Sequence, residues 1–417
     1  MVTVAVGATW LIAGLSTAGV ISRPMRWPEW IWAVAGAFLL LGLGLMPLGA
    51  AAGAIVKGFD VYLFLTGMML LSETARENGV FDWVAATAVN SAGQSSSRLF
   101  LLVYATGVVV TTFMSNDATA VVLTPAVFAV ARQAKAEPLP LLFACALIAN
   151  AASFVLPISN PANLVLYGGH MPPLVQWMGS FALPSLASIM VTYAVLRLVE
   201  RKRLAGDCAC DVERPQLTPG GKAAFAAILL TALVLLATSA FDQPLGLPTA
   251  AAGIATALGV SALGKRSPLP LVRNVSWGVL PLVAGLFVLV EALDRTGVIF
   301  MVSSAIRNAS QDPMKAAAAS GTILAFVSNL MNNLPAGLVA STAVAQAAPP
   351  RIVTDGLLIG VDLGPNLSVT GSLATILWLQ AIRREGEDVT FLAFLKVGAI
   401  AMPLALLAAL GTRLLIG

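Results

Sequence analysis

Apolar runs close to the roughly 20 residues needed to cross a bilayer recur from one end of this 417-residue chain to the other. They fall at about 2–21, 30–49, 59–76, 139–168, 174–196, 223–241, 247–263, 276–294, 353–381 and 391–414. A water-soluble domain could not bury so many continuous stretches. Charge agrees, since only 11% of residues are Asp, Glu, Lys or Arg, against roughly 25% in soluble domains. The expectation is an all-α polytopic membrane protein with about 10 transmembrane helices, because helices satisfy their own backbone groups in lipid.

Two further apolar stretches, 99–131 and 316–347, are interrupted near the middle by Ser115-Asn116-Asp117 and by Asn332-Asn333-Leu334-Pro335. Each reads as a re-entrant hairpin that enters and leaves by one face. With both termini placed outside, 18 of the 24 Lys and Arg fall on the cytoplasmic side, the bias of the positive-inside rule. Arg98 and Arg132 flank the first hairpin and share that side. Met1 to Val20 carries no basic residue before its apolar run, while Arg23 and Arg26 follow it. That order is the reverse of a signal peptide and reads as a retained first span.

Several function classes are disfavoured. The net charge of +4 is spread over short loops and builds no groove for nucleic acid. The single His170 sits in a Gly-Gly-His-Met-Pro-Pro loop, so neither a His-clustered metal site nor a His-dependent intramembrane hydrolase is expected. Three cysteines, Cys145, Cys208 and Cys210, make no disulfide framework. No cofactor is implied.

The halves resemble each other across a polar linker at 201–222. Gly67-Met-Met-Leu-Leu-Ser-Glu73, followed by Gly79-Val80, matches Gly285-Leu-Phe-Val-Leu-Val-Glu291, followed by Gly297-Val298, at an offset of 218. Asn116-Asp117 aligns with Asn332-Asn333 at 216, and Pro157–Asn163 with Val369–Thr375 at 212. Such drift is what duplication with small loop changes leaves. In the assigned topology the repeats, 1–200 and 223–417, are inverted, and inverted repeats with broken helices near the midplane mark a secondary transporter's binding site.

Polar groups inside such spans are functional candidates by default. The first hairpin supplies Ser115, Asn116, Asp117 and Thr119; the second supplies Asn329, Asn332 and Asn333. The broken spans 139–168 and 353–381 supply Asn150, Asn160 and Asn163, and Asp362, Asn366, Thr370 and Ser372. Single Asn or Ser residues also serve as interhelical glue, but their clustering at matching positions favours a substrate site. Asp117 and then Asp362 are the first choices for a group that changes protonation during transport. Glu73 and Glu291 lie near the ends of their spans, where they either take part or simply snorkel.

Phe113-Met-Ser-Asn-Asp-Ala-Thr-Ala-Val-Val-Leu-Thr-Pro125, Ser328-Asn-Leu-Met-Asn-Asn-Leu-Pro-Ala336 and Asp362-Leu-Gly-Pro-Asn-Leu-Ser-Val-Thr-Gly-Ser-Leu-Ala-Thr-Ile-Leu-Trp378 resemble bacterial arsenite efflux permeases of the ArsB type, within the wider ion transporter superfamily. The resemblance covers essentially the whole chain, with one departure at Leu156-Pro-Ile-Ser-Asn160, where relatives commonly carry Thr-Pro-Ile-Gly-Asn. It implies efflux of arsenite or antimonite across the bacterial inner membrane, coupled to protons and in some systems to a cytosolic arsenite-stimulated ATPase. A homodimer is common in the superfamily. Only Cys145 lies in a span, so capture of trivalent arsenic by three thiolates is not expected, and hydrogen bonding of a neutral trihydroxide is. The alternative within the superfamily is a sodium/proton antiporter, for which the same Asn and Asp oxygens would serve as hard ligands.

Overall fold

The computed structural model describes residues 2–168, 171–209 and 212–417; His170 and Cys210 lie outside the described residues. Among these, the structure is helical apart from one isolated bridge between Ser95 and Asp207. Leu11, Leu15, Phe38, Leu230, Leu233 and Leu407 are exposed, whereas Asn150, Asn163, Asp362 and Asn366 are completely buried. That inside-out distribution suits a chain whose outer solvent is lipid.

Seven described helices are long and apolar enough to cross a bilayer, or eight if 48–57 and 59–77, bent by 49°, form one span. The other expected crossings fall on shorter or broken helices. The stretch 139–168 is split into Pro138–Ala151 and Pro161–Tyr167, and 353–381 into Arg351–Leu363 and Leu373–Arg384. The stretch 30–49 stops at Gly42, and its chain turns through Gly44 at φ 65°. Ser96–Phe113 and Pro313–Met331, the first arms of the expected hairpins, are long enough to cross on their own.

The internal sequence match has a structural meaning. Helix 59–77 packs on 246–263, and its counterpart 279–295 packs on 29–42. At the first contact a Cβ on Gly67 would meet the Thr249 carbonyl oxygen at 2.1 Å; at the second, a Cβ on Gly285 would meet the Ala33 backbone at 2.8 Å. Both glycines are there because two backbones touch. Gly79 and Gly297, which open helices 80–90 and 298–309, have φ 71° and 85°, a left-handed turn that glycine adopts without steric penalty.

A second group gathers the hairpins and broken helices. Helix 313–331 packs along 351–363, and 174–199 packs along 391–416. The polar linker is docked on this group. The Asn90 side chain bonds both the N–H (3.0 Å) and the carbonyl (2.8 Å) of Val212, while the N–H groups of Cys208 and Ala209 donate to the carbonyls of Gln94 (3.1 Å) and Ala134 (2.8 Å). It therefore touches both ends of the first hairpin, and the next helix already begins at Pro219, capped by Thr218.

Gly67→Val should destabilise the fold and lower the yield of monodisperse detergent-extracted protein, because overpacking against backbone cannot relax by side-chain rotation and costs about 1–3 kcal/mol or more. Gly49→Val, where a Cβ meets nothing within 4 Å, should leave the yield of monodisperse detergent-extracted protein unchanged.

Candidate functional site

Helix 96–113 ends at Met114. Ser115 then caps the next turn, its hydroxyl accepting from Ala118 N–H at 3.2 Å, and the Asn116 side chain accepts from Asp117 N–H at 2.9 Å. The chain continues through a wide π turn at Thr119–Leu123. Pro125, which has no N–H, sits just beyond it, and the Thr119 carbonyl is taken by both the N–H and the hydroxyl of Thr124. The Thr119 hydroxyl bonds that of Thr111 at 2.8 Å.

The second hairpin turns at Asn332, whose φ of 74° and ψ of 153° end helix 313–331, and its side chain caps Leu334 N–H at 3.3 Å. Asn333 N–H donates to the Gly371 carbonyl at 2.9 Å. Asn329 binds this arm to the second broken helix: its amide donates to the Gly364 carbonyl (2.9 Å), and its oxygen accepts from Ser368 (2.8 Å). Thr370 adds bonds to Ser368 (3.0 Å) and to the Asn329 carbonyl (3.3 Å).

The two broken helices meet end to end across the halves. Asn160, the cap of helix 161–167, donates from its amide to Asp362 Oδ1 at 2.8 Å. Ser372, the cap of helix 373–384, donates to Asn150 Oδ1 at 3.4 Å, and the Asn150 amide donates to Asn366 at 2.9 Å. Asn163 donates to the carbonyl of Ser153 at 2.9 Å, within its own break. Within this crossing two completely buried oxygens have no hydrogen-bond partner, Asp362 Oδ2 and Asn163 Oδ1. The Ser153 hydroxyl lies beside Asp362 but is committed at 2.7 Å to the Asn150 carbonyl.

A cavity of about 760 Å³ opens between helix 59–77, the first hairpin tip and helix 373–384. Ser115 and Asp117 line it, and Asp117 meets no charged side chain. Its walls include Met68, Val121 and Leu377, and Arg76, Arg384 and Glu385 are exposed where they border it. Glu73 also lines it and is ion-paired with Arg76, whose Nε lies 2.9 Å from its carboxylate. The second hairpin tip, by contrast, faces a space of only about 10 Å³ beside Asn332 and Pro335, room for about one water.

The expected residues thus separate into three places. Ser115, Asp117 and Glu73 line the open cavity, with Asn116 and Thr119 buried just behind. Asn150, Asn160, Asn163, Asp362, Asn366 and Ser372 form the buried crossing, and Asn332, Asn333 and Thr370 hold the second hairpin against it. Glu291 stands apart, paired with Lys57 at 2.7 Å and Arg295 at 3.7 Å. Among the described residues no cluster of three or more His, Cys, Asp or Glu could hold a metal.

One polar set escaped the sequence reading. Asp355 is completely buried, accepts from Arg413 at 2.7 and 2.9 Å and from the Tyr167 hydroxyl, and lies 3.8 Å from Arg351. Asp355 and Arg413 both fall inside apolar spans, a signal as strong as that of Asp117.

A cysteine at Ser115 should react with a membrane-impermeant thiol reagent added from the Arg384 face, whereas one at Asn366 should stay protected. Labelling of both, measured by mass shift, would contradict this geometry. Asn160→Ala should lower the thermal unfolding midpoint more than Asp362→Asn, because it strips the remaining partner from a buried carboxyl, at about 1–3 kcal/mol.

The family described as CitMHS, citrate transporter, matches residues 9–370. The chain is 26% identical over 400 residues to an arsenical pump membrane protein of Escherichia coli, covering 92% of this chain and 93% of that one. With the arsenical pump membrane protein of Escherichia coli strain K12 it shares 27% over 364 residues, 83% and 85% of the two chains. Among solved structures, the Alcanivorax borkumensis YdaH transporter superposes with a TM-score of 0.57 at 16% identity, covering 88% of this chain and 86% of that one. Neisseria gonorrhoeae MtrF, described within a class of antimetabolite efflux pumps, gives 0.54 at 12%, covering 88% and 83%. These two likenesses concern the fold alone.

Proposed function

We propose that this chain, which belongs to the CitMHS citrate transporter family, exports arsenite and antimonite as neutral trihydroxides in exchange for protons. Its being a membrane transporter follows from the family and the relatives; substrate and coupling are our reading. The observation that carries it is the inner wall of the large cavity, where a hydroxyl and a carboxyl, Ser115 and Asp117, stand together without a cation. A polycarboxylate would meet a like charge there once Asp117 is ionised; of the two cations bordering the cavity, Arg76 is engaged by Glu73 and Arg384 stands at the exposed rim. A small neutral solute bearing three O–H groups can donate to both side chains. Cys145 is buried away from the cavity lining, so thiolate capture has no support there.

In this reading the two halves are inverted repeats, and access alternates between the hairpin tips, with the buried crossing between them. Asp117 carries the proton in exchange for solute, and Asp362, whose second oxygen has no partner, is the second titrating position. Glu73 and Glu291 have a lesser part, being held by Arg76 and Lys57. The same free oxygens on Asp362 and Asn163 favour the second reading, sodium/proton antiport, since both are hard donors.

In inverted vesicles, proton-driven arsenite uptake should be present, should fall to background in Asp117→Asn, and should persist when Cys145, Cys208 and Cys210 are all replaced by serine. Sodium-driven proton movement without arsenite uptake would favour the antiporter instead.

A further inference from the structure

Helices 161–167 and 351–363 belong to opposite halves and run antiparallel, and they are joined at two levels. Asn160 bonds Asp362 at one level and Tyr167 bonds Asp355 at the other. Asn160 and Tyr167 are seven residues apart, and so are Asp355 and Asp362. Seven residues are two helical turns, about 10 Å of rise, so each pair lies on one face of its helix. The contacts are two rungs of one ladder.

The rungs differ in what surrounds them. Asp362 is faced by the neutral polar groups of Asn160 and Ser153. Asp355 is faced by Tyr167, by Arg413 from helix 391–416 and by Arg351 one turn before it on its own helix. Arg351 reaches further, donating to the side chain and backbone carbonyls of Gln176 on helix 174–199 at 2.7 and 2.8 Å. A buried carboxylate held by a guanidinium at two nitrogens is a fixed element, since removing either partner strands a charge. The other crossing has no such rung: the positions equivalent to Tyr167 and Asp355 at the 212 offset are Leu379 and Phe143, and there the Trp378 ring N–H donates to the Leu142 carbonyl at 3.0 Å.

We infer that Tyr167, Asp355 and Arg413 are positioning residues, a charged outer rung that fixes the register of the two broken helices and so holds Asn160 against Asp362. The inference rests on the proposed transport reading for its consequence, although the coupling between rungs does not. The outer rung keeps its geometry whether the inner carboxyl is protonated or not. Protonation at Asp362 then changes one bond to Asn160 rather than the packing of the whole crossing.

Tyr167→Phe removes the hydroxyl without changing ring packing, and Asp355→Asn keeps the shape of the rung while removing its charge. In reconstituted vesicles Tyr167→Phe should reduce proton-driven arsenite uptake at least about tenfold, the factor carried by losing one hydrogen bond to a charged group, and Asp355→Asn should reduce it further, because it also strands the Arg413 guanidinium. Arsenite counterflow, which needs no net proton movement, should be retained. Equal loss of both activities at equal protein content, or no loss of either, overturns the inference. A thermal-unfolding cycle on Tyr167→Phe and Asn160→Ala gives a second readout. Non-additive shifts are expected, because a slipped outer rung has already weakened the inner bond; additive shifts overturn the inference. If wild-type vesicles show no proton-driven arsenite uptake, the transport reading fails, and the thermal cycle alone decides the rung.

Discussion

The helix crossing at the centre of the molecule governs the rest of it. Each half sends in a helix that stops, at Asn150 or at Asp362, and a second segment that starts, at Asn160 or at Ser372. Each stop is bonded to the start from the other half, at 3.4 Å for Ser372 with Asn150 and 2.8 Å for Asn160 with Asp362. A helix end in a low-dielectric interior leaves backbone groups without partners, and polar caps from the same chain region supply some of them. The exchange across halves adds a constraint: neither half completes its own set of helix-end bonds.

The crossing is symmetric in position but not in chemistry. Position 150 is an amide and its equivalent 362 is an acid; position 143 is a phenyl ring and its equivalent 355 is a second acid. Both departures fall on the same helix, so ionisable chemistry is concentrated on one of two related crossings. Asn150 has its oxygen and nitrogen both engaged, whereas Asp362 keeps one oxygen unpartnered. An amide cannot change charge, and its bonds are satisfied; an acid with a spare oxygen can exchange a proton while its other oxygen keeps Asn160.

Much of this was legible in the sequence because lipid makes polarity rare. The hairpin tips, the two breaks and nearly every residue of the crossing stand out as Asn, Ser or Asp in apolar runs. The repeat match at Gly67 and Gly285 was legible as a match but not as a cause, since a close backbone contact needs a partner, Thr249 or Ala33, that lies far away in the chain. The same limit hid the outer rung. Asp355 and Arg413 were visible as charges in spans, but their pairing over 58 residues, and with Tyr167 over 188, is a product of packing. The docked linker was equally hidden, because a polar, turn-rich segment reads as solvated whether or not its N–H groups find carbonyls on the Gln94 and Ala134 turns.

The two hairpin tips differ in how firmly they are held, and the difference follows the side that is open. The second tip has Asn329 bonding Gly364 and Ser368, Thr370 bonding the Asn329 carbonyl, and Asn333 bonding Gly371. At the 216 offset the counterpart of Asn329 is Phe113, whose ring can make neither of the side-chain bonds to Gly364 and Ser368. The first tip is joined to its broken helix by the Ser159 hydroxyl on the Thr112 carbonyl, at 2.9 Å, and its helix runs through a wide π turn immediately afterwards. A segment with fewer bonds to its neighbours opens at lower free energy. The large cavity at Ser115 and Asp117, and the single-water space at Asn332, therefore lie where the substitution of an amide by a phenyl ring would put them.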